Sequence, residues 1–194
     1  MNSIVELLSF TNNNIFSISK KELNNISSKI GHKISRDYQN KKLVLIGLLK
    51  GSNPFLADLA RNIDLPLEIT YIQVSSYEKN ISSQSLIYKL DIDIDIQDRD
   101  VIIVEDIIDT GLTLKGVIDL LEKRKPNSIN IAVLLDKIDA HDKVVNIKYV
   151  GKIIPNVFVV GYGLDYRQYF RNLPYITSVE VSKLKELDTF IDTL

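Results

Sequence analysis

An uninterrupted run of four β-branched residues at positions 101–104 constrains the fold of this 194-residue chain more than any other stretch. Val-Ile-Ile-Val is typical of a strand that is buried on both faces, as the strands of parallel sheets are. Two carboxylates, Glu105 and Asp106, follow directly, and a Thr-Gly turn then leads into a helical pattern. A strand, a turn and a helix in this order predict one repeating unit of an α/β fold.

Similar units are predicted on both sides of this strand. Ser19 and Glu22 have the spacing of a capping box that begins an amphipathic helix, and Pro54 suits the first turn of a second helix. A third helical pattern starts at Thr113 and stops before Pro126. Because strands and helices alternate without a linker, we predict a single α/β domain over residues 1–194, with a mainly parallel central sheet flanked by helices. The predicted strands are residues 43–49, 67–77, 86–90, 101–104, 129–135, 148–154 and 157–160.

Composition excludes several classes of protein. Lys plus Arg (24) nearly balance Asp plus Glu (25), so no net field favours nucleic acid or an anionic membrane. The chain has no Cys and only two His, His32 and His141, which argues against disulfides, zinc sites of the usual spacing and a Ser-His-Asp triad. Without a long apolar run or a signal-peptide pattern, we expect a cytoplasmic protein that binds neither membrane nor nucleic acid.

Three short motifs suggest functions that their surroundings contradict. The Asp-Ile alternation at 91–96 resembles a calcium loop, but Ile96 and Ile102 occupy the positions that need Gly and Glu, so it predicts a half-exposed strand or a linker. Residues 109–111, Asp-Thr-Gly, match an aspartic protease signature, but a helical pattern follows them. Residues 161–163, Gly-Tyr-Gly, lack the third Gly of a dinucleotide site.

Polar residues follow the predicted strands, and in a parallel sheet they meet at one edge, where such sheets bind ligands. The sequence Thr-Gly-Leu-Thr at 110–113 stands at a helix start, where backbone N–H groups and the helix dipole favour a phosphate. Carboxylates beside it can hold ribose hydroxyls or a Mg²⁺ ion shared with substrate phosphates. The polar loop 78–85 is either a mobile lid or a hairpin tip. The residues predicted at this edge are Lys50, Ser76, Tyr77, Glu105, Asp106, Asp109, Lys137, Asp165 and Arg171.

Four motifs in order resemble the type I phosphoribosyltransferase family. Residues 105–113 are similar to its ribose-phosphate loop, and residues 159–175 to the purine-site segment of its hypoxanthine-guanine members. Residues 49–52 and 75–77 match the two remaining loops of that family. The similarity spans positions 43–174 and implies the family fold, with a small hood and a flexible lid at about residues 75–90.

The resemblance implies transfer of a 5-phosphoribosyl group from phosphoribosyl pyrophosphate to hypoxanthine and guanine, giving IMP and GMP in purine salvage by a homodimer or homotetramer. It implies that Asp109 is the catalytic acid/base at purine N7, although Asp109 could also cap the following helix. It further implies that the Leu49–Lys50 peptide is cis. The implied phosphoribosyl contacts are Glu105, Asp106, Asp109, Thr110, Gly111, Leu112 and Thr113.

The resemblance assigns the other substrate contacts as well. Lys137 would donate to the purine O6 and so select 6-oxo bases against adenine, while Phe158 would stack on the ring. Arg171 would bind pyrophosphate. The implied sets are Ile107, Lys137, Phe158, Val159 and Asp165 for the purine; Lys50, Gly51 and Arg171 for pyrophosphate; Ser76 and Tyr77 for the lid; and Glu105, Asp106 and Asp165 for Mg²⁺.

Two departures from the family pattern concern the lid and the purine pocket. Glu78 and the run 82–85 stand where the family often has Gly, and Ile138 follows Lys137 where Pro or Arg is usual. Two alternatives therefore stay open: a sister enzyme that prefers xanthine or guanine, and a regulator that binds phosphoribosyl pyrophosphate without turnover.

Overall fold

A six-stranded sheet forms the centre of the computed structural model, which describes residues 16–76, 86–140 and 146–193. Its strands are β2 (Leu43–Leu48), β3 (Leu67–Ser76), β4 (Leu86–Leu90), β5 (Asp100–Ile108), β6 (Ser128–Asp136) and β7 (Tyr149–Ile153). In the sheet they have the order β4-β3-β2-β5-β6-β7 and are parallel throughout, except for the antiparallel edge strand β4. The predicted α/β class with a mainly parallel sheet is therefore confirmed.

Three helices cover the two faces of this sheet: α1 (Lys20–Asp37), α2 (Asn53–Arg61) and α3 (Leu112–Glu122). Side chains of β5 alternate between two cores: Ile102 and Val104 pack with α1 and α2, whereas Val101 and Ile103 pack with α3. All four side chains are fully buried. Burial on both faces explains why the run at 101–104 has no polar alternation.

Helix α1 begins as predicted at Ser19, whose Oγ accepts a hydrogen bond from the Glu22 backbone N–H at 3.2 Å. The Glu22 carboxylate pairs with Lys152 on β7. At the far end of α1, Asp37 accepts a hydrogen bond from the Tyr149 hydroxyl at 2.7 Å. Contacts at both ends therefore fix α1 across β7.

A second, three-stranded sheet lies beside the main one, and one sequence-based placement is wrong because of it. It has the order β1 (Ser17–Ile18), β9 (Ile176–Ser178), β8 (Val159–Val160), all antiparallel, and helix α4 (Leu184–Asp192) follows it. Val159 and Val160 therefore do not belong to the parallel sheet. Asp165 and Arg171 reach the edge of the main sheet through a turn and not as the end of a parallel strand.

Residues 91–96 form a linker and not a strand, one of the two predicted possibilities. Ile92 and Ile96 are buried, while the exposed Asp93 accepts a hydrogen bond from the Thr70 hydroxyl at 2.6 Å. The proposed lid residue Tyr77 and the loop 78–85 lie outside the described residues. Within the described ranges, no helix has both the length and the apolarity needed to cross a membrane.

Candidate active site

A cavity of about 330 Å³ opens at the carboxyl ends of β2 and β5, where the sheet was predicted to bind ligands. It brings together residues from four separate parts of the chain, including most of those predicted for the phosphoribosyl and pyrophosphate groups. Its walls are Leu48, Leu49, Lys50, Gly51, Val74, Glu105, Asp106, Ile107, Ile108, Asp109, Thr110, Gly111, Thr113, Leu114, Asp165 and Arg171.

The predicted phosphate site, residues 109–113, is the turn between β5 and α3 together with the start of α3 (the phosphate turn). Gly111 has φ +73° and is the N-cap of α3, without a side-chain cap hydrogen bond. The first N–H groups of a helix have no partner within the helix and are available to a ligand. Gly111, Thr113 and Leu114 at this helix start line the cavity, as does Thr110. The prediction that Asp109 caps this helix is wrong, because the turn places Gly111 in the capping position.

Glu105 and Asp106 lie side by side in the wall of this cavity. Burial raises the pKa of Glu105 well above its ordinary value, and the neighbouring Asp106 carboxylate raises it further. Each carboxylate also accepts a backbone N–H: Glu105 Oε1 from Asp106 at 3.1 Å, and Asp106 Oδ1 from Ile107 at 2.9 Å. Two adjacent acids held in this way suit a ligand that brings hydroxyls or positive charge.

We expect Glu105→Gln to raise the melting temperature of the ligand-free protein by a few degrees near pH 8. The folded protein keeps the Glu105 proton to a higher pH than the unfolded chain, so stability falls as pH rises from the ordinary pKa of 4.5 through the raised value. The gain should therefore shrink as the pH approaches 4.5. Thermal unfolding at several pH values measures the difference in melting temperature between variant and wild type, with Glu122→Gln, at an exposed position, as control. A Glu105→Gln variant that is less stable than the wild type at pH 8 would contradict the electrostatic account.

Asp109, at the start of the phosphate turn, forms an ion pair with Lys137, whose Nζ lies 3.2 Å from Asp109 Oδ2. Lys137 is nearly buried, since its side chain is 9% exposed, whereas the Asp109 side chain is 57% exposed. The Lys137 backbone N–H continues the pairing of β5 with β6 by donating to the Ile108 carbonyl at 3.2 Å. A fixed donor and an accessible acceptor therefore lie next to each other at the edge of the sheet.

Lys50 and Arg171 approach the cavity from two different loops and meet at one side chain. Gln168 Oε1 accepts hydrogen bonds from Lys50 Nζ and from Arg171 Nη2, each at 3.2 Å. Arg171 Nη2 also pairs with Asp165 Oδ1 at 2.7 Å, and the Gln168 backbone N–H donates to Asp165 Oδ2 at 2.8 Å. The Leu49–Lys50 peptide is cis, as predicted.

Two glycines let the loops of this site approach one another. A Cβ on Gly51 would overlap the Asp106 carboxylate, and a Cβ on Gly163 would overlap the Gly51 carbonyl oxygen. Gly163 also has φ +100°, which side-chain-bearing residues rarely adopt. The Lys50–Gly51 loop is therefore packed against Asp106 on one side and against the turn at Gly163 on the other.

Gly163→Ala is expected to destabilise the protein and to weaken binding of any ligand that both loops contact. The positive φ alone costs an alanine about 1–2 kcal/mol, and the overlap with the Gly51 carbonyl adds to this. Gly116→Ala, within α3, is the matched control and should be stabilising, since alanine favours helix interiors. Thermal unfolding compares the two; equal melting temperatures would contradict the packing described here.

The residues predicted for the purine are less completely assembled. Ile107 lines the cavity. Lys137 does not line it but forms an ion pair with Asp109, which does. Phe158 and Val159 are absent from the described part of the cavity wall: Val159 is buried, and the Phe158 ring packs edge-on against Tyr166 with centroids 5.9 Å apart. Leu112 is exposed on the first turn of α3, and of Ser76 only the backbone, at the end of β3, is described.

The donor set at this edge fits Mg²⁺ shared with a substrate. Among the described residues, no three acidic, His or Cys side chains converge as a metal cage. Mg²⁺ does not need such a cage, because it keeps several waters and is commonly bound by one or two carboxylates together with substrate phosphates. Asp165, with its side chain 26% exposed in the cavity wall, is a carboxylate of this kind.

One residue of the site, Gln168, was missed from the sequence. It connects Lys50, Arg171 and Asp165, yet an exposed glutamine in a loop carries no local signal of function. Its position between Asp165 and Arg171, both predicted site residues, was the only available indication.

The site combines a helix N-terminus, two adjacent carboxylates and two cations that meet at one acceptor. This arrangement suits a ligand that carries a sugar phosphate and a second anionic group. A phosphoribosyl transferase domain model matches residues 18–167. The hypoxanthine-guanine phosphoribosyltransferase of Staphylococcus epidermidis is 46% identical over 164 residues, which is 84% of this chain and 92% of that protein. The corresponding Staphylococcus aureus protein is 44% identical over the same shares of the two chains.

A solved structure shows the same architecture. The crystal structure of a hypoxanthine phosphoribosyltransferase from Staphylococcus aureus has a TM-score of 0.84 and 41% identity, covering 94% of this chain and 97% of that one. The chain therefore belongs to the phosphoribosyltransferase family and, within it, to the hypoxanthine-guanine phosphoribosyltransferases. As a member of that family, it is a pentosyl-transferring enzyme.

Proposed function

We propose that this protein transfers the 5-phosphoribosyl group of phosphoribosyl pyrophosphate to hypoxanthine and guanine, giving IMP and GMP with release of pyrophosphate. The ion pair beside the phosphate turn is the observation that carries the proposal. Lys137 Nζ and Asp109 Oδ2 lie 3.2 Å apart, and the O6 and N7 atoms of a 6-oxopurine occupy neighbouring positions on one edge of the base. A donor for O6 and a proton acceptor for N7 are thus already side by side.

The phosphoribosyl group would lie over the turn from Glu105 to Thr113. The N–H groups at the start of α3, with Thr110, Gly111, Leu112 and Thr113, would hold the 5′-phosphate. Glu105 and Asp106 would accept hydrogen bonds from the ribose hydroxyls. Their negative charge would also stabilise the positive charge that develops on the ribose as its bond to pyrophosphate breaks.

The base would enter on the Lys137 side of the cavity. Purine N9 forms the new bond to ribose C1 while the bond from C1 to the pyrophosphate oxygen breaks. Asp109 would accept the proton that leaves N7 as N9 forms this bond, and Lys137 would donate to O6. Ile107, Phe158, Val159 and Asp165 would complete the purine pocket, which requires the Phe158 ring to leave its edge-on contact with Tyr166.

Pyrophosphate would lie between the two loops that carry Lys50, Gly51 and Arg171. Both cations now donate to Gln168 Oε1, so they are already oriented towards a common acceptor. Glu105, Asp106 and Asp165 would hold Mg²⁺, which supplies positive charge to the pyrophosphate as it leaves. Ser76 and Tyr77 would belong to a lid that excludes water.

We further propose that the protein acts in the cytoplasm as a homodimer or homotetramer, with one such site in each subunit. The absence of a membrane-spanning helix in the described residues and the near balance of charges agree with the proposed location.

Formation of IMP together with pyrophosphate tests the proposal. Purified protein incubated with hypoxanthine, phosphoribosyl pyrophosphate and Mg²⁺ should give the two products in equal amounts. A protein that binds phosphoribosyl pyrophosphate in titration calorimetry, but forms no nucleotide with any purine, would instead be a regulator that keeps the fold. Failure to bind phosphoribosyl pyrophosphate at all would refute both the enzyme and the regulator.

A further inference from the structure

One tyrosine connects the two loops between which pyrophosphate is proposed to bind. Tyr162 lies in the turn after β8, and its side chain is 8% exposed. Its hydroxyl lies 2.5 Å from Asp58 Oδ2 and 3.4 Å from the Pro54 carbonyl oxygen, both on α2. Burial and the Asp58 carboxylate raise the pKa of Tyr162, so its hydroxyl stays protonated and able to donate.

Each end of this hydrogen bond is close to a proposed pyrophosphate ligand. Helix α2 starts three residues after Lys50, so Asp58 lies on the helix that directly continues the Lys50–Gly51 loop. On the other side, the Gly163 backbone N–H donates to the Arg171 carbonyl at 3.0 Å, and Arg171 Nη1 donates to the Gly163 carbonyl at 2.6 Å. Tyr162 is thereby attached to Arg171 through the neighbouring residue.

The backbones of the two loops touch, but they do not hold each other. A Cβ on Gly163 would overlap the Gly51 carbonyl oxygen, so the two backbones are in close contact at this point. A contact of this kind prevents the loops from moving closer and offers little resistance to their moving apart. The Tyr162–Asp58 hydrogen bond runs across the same boundary and does resist separation, because its acceptor is charged and its donor is buried.

We propose that Tyr162 is a positioning residue: through Asp58 it fixes the separation of the two loops at which Lys50 and Arg171 can bind the same pyrophosphate. The inference rests on the proposed function, since it concerns the geometry of that pyrophosphate site. The Tyr162 hydroxyl is directed towards α2, and Tyr162 is not among the described residues that line the cavity.

Tyr162→Phe removes the hydroxyl and keeps the ring. Without the hydrogen bond the loops separate more easily, so the KM for phosphoribosyl pyrophosphate should rise about fivefold to tenfold. The kcat and the KM for hypoxanthine should change less than twofold. Titration calorimetry with phosphoribosyl pyrophosphate and Mg²⁺ should show the same loss of affinity without turnover.

Tyr166→Phe is the matched control. Tyr166 lies four residues further on, and its hydroxyl donates to Asp188 Oδ1 on α4 at 2.9 Å, away from the Lys50–Gly51 loop. It should leave the KM for phosphoribosyl pyrophosphate unchanged. A lower melting temperature of Tyr162→Phe with an unchanged KM would show a purely structural role and overturn the inference.

Variants of Asp58 decide the question if Tyr162→Phe does not fold. Asp58→Asn keeps an oxygen that can accept from Tyr162, whereas Asp58→Ala does not. Both lose the ion pair with Arg61, so the loss of this charge contributes equally to the two variants, and Asp58→Asn alone keeps an acceptor for Tyr162. The inference requires a higher KM for phosphoribosyl pyrophosphate in Asp58→Ala than in Asp58→Asn; equal values would refute it. If the wild-type protein neither binds nor uses phosphoribosyl pyrophosphate, the proposed function itself has failed.

Discussion

Asp109→Asn is expected to lower kcat about 10²–10⁴-fold, the usual contribution of a positioned proton acceptor. The KM for phosphoribosyl pyrophosphate should stay nearly constant, because asparagine keeps the shape of the side chain and the phosphate turn is made by Gly111 and the N–H groups of α3. Steady-state kinetics with hypoxanthine measures both constants. The expectation follows from the position of Asp109, exposed at the cavity and paired with Lys137.

An exposed acid on α3, the helix that follows Asp109, gives the control for this substitution. Asp119→Asn, on the surface of α3, removes one carboxylate without touching the cavity. It should leave kcat unchanged. Equal losses of kcat and of phosphoribosyl pyrophosphate affinity in Asp109→Asn would mean that Asp109 supports the turn and takes no part in proton transfer.

Lys137→Met should reduce the preference for hypoxanthine over adenine about tenfold to a hundredfold, as expected for one buried hydrogen bond that only the 6-oxo base can make. Methionine keeps the length of the side chain but offers no donor. Hypoxanthine therefore loses a hydrogen bond at O6, while the amino group of adenine no longer faces an ammonium group. The ratio of kcat/KM for the two bases measures the effect.

Lys123→Met is the corresponding control, since Lys123 is exposed just beyond the end of α3. It should leave the ratio unchanged. Because Lys137→Met also removes the partner of Asp109, a fall in kcat with both bases is expected in addition. A variant that loses activity equally with hypoxanthine and adenine would show that Lys137 orients Asp109 and does not read the base.

Local patterns in the sequence predicted the elements that build the site. The run at 101–104 was recognisable because a strand buried on both faces needs uninterrupted apolar residues, and β5 is such a strand. Ser19 marked the start of α1 through a hydrogen bond that spans only three residues. The cis peptide at Lys50 has no local signal, and it was predicted from resemblance alone.

Contacts between distant parts of the chain were not predictable in the same way. Val159 and Val160 read as a parallel strand, but they pair with Ile176–Ser178, and that short strand pairs in turn with Ser17–Ile18. Strands of two or three residues leave almost no periodic pattern. The hydrogen bonds of Gln168 with Lys50 and of Tyr162 with Asp58 each join residues more than 100 positions apart, and no local pattern indicates such a contact.

The most direct test of the account compares the kcat/KM of the wild-type protein for hypoxanthine, guanine, xanthine and adenine, with phosphoribosyl pyrophosphate and Mg²⁺ in excess. The account predicts turnover of hypoxanthine and guanine, with adenine the poorest substrate because its amino group meets the donor of Lys137. A preference for xanthine would point to the sister specificity within the family. A preference for adenine, or no nucleotide from any of the four bases, would contradict the central claim.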